Sequence, residues 1–243
     1  MAKKPPGNGI HKVKKGEWVA SIADVYGYAD WEGVVWEHEK NAALREKRPD
    51  PHVLKEGDEL FIPPWDEREE SASTGQRNTF KTTGSDEVLR VRLLTPDGTP
   101  RANEKYRLVL VHDDNTEEYS QQNKETGPDG QVEEKIPHTV KSAKLTIESS
   151  NEELKFNFGH LSPLDQNDKP TLIKGVQQRL KALGFEPGEI NGKDSEATTG
   201  AVKAFQAHCR ESAGSAPGLI DAGEPDGTMD DGFVKALLSY YGC

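Results

Sequence analysis

The stretches "EINGKDSEATTGAVKAFQ" (residues 189–206) and "EPDGTMDDGFVKALL" (residues 224–238) say nearly the same thing twice, and that repetition decides the fold of the C-terminal third. Each has an acidic residue, an Asn-Gly or Asp-Gly pair, a short polar run, and then Val-Lys-Ala followed by a large apolar residue. Gly192 and Gly227 supply the positive φ that a sharp reversal needs. A polar residue after the turn is placed to cap a helix by accepting a backbone N–H: Thr198 or Thr199 in the first copy, Asp230 in the second. The Val-Lys-Ala runs then turn apolar residues inward and lysine outward. Each copy reads as a turn, a cap and a helix.

Upstream, Leu172, Val176, Leu180 and Leu183 form one apolar helical stripe, which "LGFEPG" (183–188) stops with glycines. Val202, Phe205 and Cys209 repeat that spacing, as do Val234, Leu237 or Leu238, and Tyr241. Residues 159–243 are therefore expected to form a three-helix bundle. Between residues 80 and 158 the period changes to two: Leu89, Val91, Leu93; Tyr106, Leu108, Leu110; Ala143, Leu145, Ile147; Leu154, Phe156, Phe158. Turn compositions such as "TPDGTP" and "TGPDGQ" separate these runs, which predicts a small antiparallel β-sandwich. Residues 66–79, charged and then Ser/Thr/Gly-rich, read as a linker. Residues 1–65 mix both signals: a strand in "IHKVKKGEW", a helix from Trp18 through Ile22 and Val25, a second helix carrying Trp31, Val34, Val35 and His38, and a closing strand in "HVLKEGDELFIPP". The predicted class is multidomain α+β: a βααβ unit, a β-sandwich and a helical bundle.

With 243 residues, a net charge of −11 and 30% charged residues, the chain suits several small domains rather than one large core. No segment is basic, which argues against a nucleic-acid partner. No apolar run approaches the roughly 18 residues that span a bilayer, so no integral membrane contact is expected. The basic start "MAKKPPGNGIHKV" lacks a following apolar region, so a general secretory signal is not expected. Cys209 and Cys243 form neither a disulfide framework nor a zinc site; two free thiols and a single bridge both remain open.

The C-terminal pattern resembles the three-helix peptidoglycan-binding domain. Leu180, Leu183, Gly184, Phe185, Gly192, Thr198, Ala201, Val202, Phe205, Gln206, Asp226 and Gly227 carry the resemblance over residues 172–243. Asn191 stands where that family usually has Asp, and "ESAGSAPGLIDAG" is an insertion. The resemblance implies a peptidoglycan contact through Asn191, Gly192, Thr198, Phe205, Gln206, Asp226 and Gly227.

The N-terminal segment resembles the lysin motif (LysM), a glycan-binding βααβ module. Gly16, Glu17, Ile22, Ala23, Tyr26, Gly27, Asn41, Leu54, Gly57, Leu60, Ile62 and Pro63 carry it over residues 11–63. It departs at Trp18, where Thr is usual, and in the long loop "AALREKRPDPHV". This resemblance implies a groove for GlcNAc-containing oligomers at Gly16, Glu17, Trp18, Val19, Asn41, Leu44 and Val53. Trp18, facing Asn41, suits stacking on a pyranose, and equally suits packing against Trp31 and Trp36.

A wall hydrolase needs paired carboxylates, a metal-bound water or an activated nucleophile. The seven histidines show no metal-ligand spacing, Cys209 and Cys243 lack a nucleophile's setting, and acids such as Asp113 and Asp114 fall in turns. No catalytic residue, metal or cofactor is expected. The reading is a non-catalytic binder of bacterial cell-wall glycan with two wall-binding modules. The alternative is an adaptor or cargo of a contractile injection machine of the type VI secretion kind, whose spike or effector would contact the β-sandwich. Such a machine would deliver the chain from the cytoplasm to the periplasm or outside the cell.

Overall fold

The computed structural model describes residues 5–65, 74–75, 77, 87–95, 98–112, 115–119, 124–212 and 220–241. It is an α+β chain that divides into two compact units, residues 1–46 with 56–160 and residues 47–55 with 161–243. Asp113, Asp114 and Cys243 lie outside the described residues.

In the first unit, β1 (Ile10–Lys12) pairs antiparallel with β2 (Glu59–Phe61), Ile10 opposite Phe61. Between them run α1 (Val19–Val25), a π-helical turn Trp31–Trp36, a 3-10 turn Glu39–Asn41 and α2 (Ala42–Lys47). The second helix expected from Trp31 to His38 is thus interrupted: His38 has an extended ψ of 135°. The interruption turns Asn41 inward, where its Nδ2 donates to the Val35 carbonyl (2.7 Å) and the Phe61 carbonyl (3.0 Å), while its Oδ1 accepts from Phe61 N (2.8 Å). Arg45 Nη1 donates to the carbonyls of Trp36 and His38 beside the break, and His38 O also accepts from Asn41 N at 2.8 Å.

The same unit carries two further sheets. β3 (Glu87–Arg92) pairs with β7 (Gln131–Ile136). β4 (Lys105–His112) centres the other sheet, ordered β5 (Glu117–Tyr119), β4, β8 (Val140–Ile147), β9 (Glu152–Asn157), with β6 (Lys124–Glu125) also on β4. The period of two is physically realised. Ala143, Leu145 and Ile147 of β8 and Tyr106, Leu108 and Leu110 of β4 are buried in one cluster with Val132 and Ile136 from β7. Alternate side chains of the two sheets therefore fill a common core.

The second unit holds α3 (Lys169–Ala182), α4 (Glu196–Ser212) and α5 (Asp231–Tyr241). Asp168 caps α3 by accepting from Thr171 N. The helix ends in a Schellman turn: Phe185 N donates to Leu180 O (2.9 Å), Gly184 N donates to Lys181 O (3.1 Å), and Gly184 has φ +88°. Phe205 is fully buried at the centre, with edge-on contacts to the rings of Phe185, Phe233 and Tyr240. The expected cap at Asp230 is present, since its Oδ1 accepts from Phe233 N at 2.8 Å. The expected cap at Thr198 or Thr199 is corrected: Ser195 Oγ accepts from Thr198 N at 3.1 Å, because the helix starts at Glu196 and already contains both threonines.

Sequence assigns residues 47–55 to the N-terminal domain, whereas they belong to the second unit and two of them pair with residues after 160. Arg48, 2% exposed, pairs with Asp165 at 2.9 Å, and Lys55 pairs with Asp168. Burial raises the Asp165 carboxyl, but the Arg48 and Asn167 hydrogen bonds and the Arg48 and Lys47 charges more than offset that, and it sits below the ordinary aspartate value.

Candidate functional site

The repeated sentence of the sequence has a structural counterpart. Gln177 on α3 is fully buried and grips the first turn: its Oε1 accepts from Asn191 N (3.1 Å) and Gly192 N (3.0 Å), and its Nε2 donates to Lys193 O (3.0 Å) and Thr198 Oγ1 (3.0 Å). Gln206 on α4 grips the second turn in the same manner. Its Oε1 accepts from Gly227 N (2.9 Å), and its Nε2 donates to Asp226 Oδ1 (3.2 Å) and Thr228 O (3.3 Å). Within each turn the residue before glycine closes a small loop through its side chain: Asn191 Oδ1 accepts from Lys193 N, and Asp226 Oδ1 accepts from Thr228 N, both at 2.8 Å. Asn at 191 makes the same turn bond that Asp makes at 226.

Most of the C-terminal residues expected to touch peptidoglycan are therefore occupied in holding the fold. Thr198, Phe205 and Gln206 are buried, and Thr198 Oγ1 also donates to the Pro187 carbonyl at 2.9 Å. A Cβ on Gly192 would lie 2.6 Å from Pro170 O, so that glycine allows a close backbone approach. Asn191 and Asp226 remain exposed, and Gly227 is half-buried. Hydrogen bonds from the Thr228 backbone and hydroxyl, then from Gln206, hold the Asp226 carboxyl below its ordinary value.

A groove of about 450 Å³ runs along the start of α4, lined by Asp194, Ser195, Glu196, Thr199, Gly200 and Lys203. The second turn sits against it: a Cβ on Gly227 would lie 2.8 Å from Thr199 Cγ2 and 3.1 Å from Lys203 Cε. Hydroxyls, carboxylates and one ammonium line a shallow cleft suited to the hydroxyl and amide groups of a glycan. Sequence reading leaves Ser195 in an undifferentiated polar run and turns Lys203 outward. Their signal was the polar run "KDSEATTG", which is longer than a two-residue turn and one cap require.

In the first unit the residues expected to form a sugar groove are largely inside. Trp18 is 7% exposed, and Val19, Asn41 and Leu44 are buried; Val53, also buried, belongs to the second unit. The chain at Gly159 approaches so closely that a Cβ there would lie 2.7 Å from Trp18 Cε3 and 2.2 Å from Gly16 O. Of the two roles open to Trp18, packing is the one this burial serves. Glu17 is engaged by His11 Nε2 (2.8 Å) and Lys14 N (2.8 Å). Burial raises its carboxyl, the His11 hydrogen bond and the remaining contacts lower it further than that, and the net shift is downward. Cys209 is a free, buried thiol pushed up to about 11 by burial, which makes it unreactive at neutral pH.

Among the described residues no group of three or more His, Cys, Asp or Glu is placed to hold a metal ion, and no helix is long and apolar enough to cross a membrane. No curated protein and no solved structure matches the chain. A family described as "Putative peptidoglycan binding domain" matches residues 170–210, which span α3, the first turn, the whole lining of the α4 groove and most of α4. The match supports cell-wall binding by this part of the chain, with peptidoglycan as the partner.

Proposed function

We propose that the chain is a non-catalytic peptidoglycan-binding protein whose glycan contact in the second unit runs through the α4 groove, chiefly Thr199 and Lys203. The carrying observation is that the matched segment contains this whole lining, while the buried Gln177 and Gln206 clamps fix the turns around it. The non-catalytic reading is supported by histidines without metal-ligand spacing and by the buried, weakly acidic Cys209 thiol. The N-terminal unit, by its resemblance to LysM, is proposed as a second glycan-binding module, so that two weak contacts on one chain add through effective concentration.

The competing reading, an adaptor or cargo of a contractile injection machine, would use an outer strand of the β-domain for strand addition. Glu152, Glu153 and Lys155 on the outer strand β9 oppose it, because charge along an edge discourages pairing with another chain. The test is co-sedimentation of the full chain with purified sacculi, beside a Thr199→Glu/Lys203→Glu variant. The wild type should pellet and release no soluble fragments, and the variant should pellet about fivefold less, the loss expected for one or two polar contacts. Equal pelleting of both proteins would remove the α4 groove from the account, and fragment release would make the protein an enzyme.

A further inference from the structure

A second groove lies wholly within the first unit; it shares Ile62 with the residues that carry the LysM resemblance, and its lining holds none of those implied for that family's sugar groove. It encloses about 530 Å³, within the roughly 300–1,000 Å³ typical of small-ligand sites, between Pro5–Gly9, Lys40 and the segment after β2 that ends in Trp65. Its floor is aromatic and aliphatic: Phe61 and Ile62 are buried, and Gly9 at φ +71° passes so close that a Cβ would lie 2.4 Å from the Phe61 ring. Trp65 forms the wall. Its indole Nε1 donates to the Tyr26 carbonyl at 2.8 Å, which fixes the ring, yet the residue stays 47% exposed and so offers an aromatic face.

The polar groups are few and specific. Among the described residues Lys40 is the one charged side chain lining the groove, with Nζ 4.3 Å from the centre of the Phe61 ring. It has no carboxylate partner among the described residues, although the chain carries a net charge of −11. Asn8 Oδ1 accepts from Ile10 N at 3.1 Å, which orients the amide and leaves Nδ2 as a donor on the rim. A fixed, half-exposed aromatic face, an oriented amide and a lone ammonium match a pyranose that also bears a carboxylate. A neutral sugar would use the face and the amide and leave the ammonium idle.

We propose that this groove is a carbohydrate subsite selective for a carboxylate-bearing pyranose, the muramic type of residue with its lactyl carboxyl free of a stem peptide, with the sugar ring on Trp65 and the carboxylate at Lys40 Nζ. The choice of glycan rests on the peptidoglycan reading above; the charge selectivity rests on the groove itself. The test is calorimetric titration of the full chain with the disaccharide of N-acetylglucosamine and N-acetylmuramic acid, and separately with neutral chitobiose. Wild type should bind the acidic disaccharide about fivefold or more tightly than chitobiose, the scale of one charge-assisted contact. Lys40→Gln, an exposed substitution that leaves the core untouched, should abolish that preference while chitobiose affinity stays put. Trp65→Ala should weaken both ligands.

A preference that survives Lys40→Gln, failure of the wild type to bind either disaccharide, or capture of a proline-rich peptide in their place would overturn the proposal. Sacculus pelleting by the Lys40→Gln protein separates the two readings. Pelleting lost through Thr199→Glu/Lys203→Glu but retained with Lys40→Gln supports the α4 contact whatever the titrations report. Disaccharide selectivity in a chain that does not pellet would support the groove alone.

Discussion

Replacing Gln177 with alanine should destabilise the second unit strongly. The side chain is fully buried and makes four hydrogen bonds, three of them to the backbone of residues 191–193. Truncation strands the Gly192 N–H in a buried position, and a buried donor left without a partner costs about 1–3 kcal/mol. The Asn191 N–H and the Lys193 carbonyl lie nearer solvent and recover part of their loss through water. Thr198 Oγ1 keeps Pro187 O, so it adds little. The sum is about 2–4 kcal/mol, mostly from one amide and the vacated volume. For a domain of about 60–100 residues each kcal/mol moves Tm by roughly 4–8 °C, so the shift should exceed about 8 °C. The four tryptophans, Trp18, Trp31, Trp36 and Trp65, all lie in the first unit, so far-UV dichroism of α3–α5 rather than tryptophan emission reports the change. Amide exchange at Gly192 gives the local reading, with protection falling in the variant. A loss under about 1 kcal/mol with unchanged Gly192 protection would refute the clamp as a stabilising element.

Gln206→Ala should cost less, about 1–2 kcal/mol, because the 226–228 turn it holds is only part-buried; a dichroism melt that ranks it above Gln177→Ala would contradict this. Gly184→Ala should cost about 1–2 kcal/mol for its positive φ alone, since a Cβ there meets nothing, whereas Gly192→Ala adds an overlap with Pro170 O and should cost about 2–5 kcal/mol in the same melts. Arg48→Met should remove the buried partner of Asp165. Because that carboxyl is lowered in the folded state, its stabilisation is complete above the ordinary aspartate value near 3.8 and fades as pH falls through the folded value below it; acid titration of unfolding should therefore be flatter below about pH 4 in the variant. Cys209 should resist thiol reagents at pH 8 in the native protein and react once the second unit is unfolded, as its burial and a thiol value of about 11 require.

The helices of the second unit were legible because their apolar residues recur at helical spacing. Leu172, Val176, Leu180, Val202, Phe205, Cys209 and Leu237 are all buried in one core. The period-two runs of the β-domain were legible for the same reason, with side-chain direction fixed by backbone geometry. The glutamines were not. Gln177 in "VQQRL" looks like a solvent residue, because sequence marks apolar burial and says nothing of a polar side chain whose partners are backbone groups 14 to 16 positions away. Gln206 carries the family pattern, which does not mark its hold on the second turn. Asn41 is a similar case: its amide is spent on Val35 and Phe61. The lining of the α4 groove was hidden because Ser195 and Lys203 are ordinary residues for a helix start, and only the placement of Gly227 beside Thr199 and Lys203 defines a cleft there.

Buried clamps hold the turns, and the exposed start of α4 is the proposed glycan contact. Backbone amide resonances of the full chain, followed during addition of soluble peptidoglycan fragments, test it directly. The account predicts shifts concentrated at Asp194–Lys203, with the buried Val176–Leu180 segment of α3 unmoved. Shifts that spare Asp194–Lys203 would contradict it.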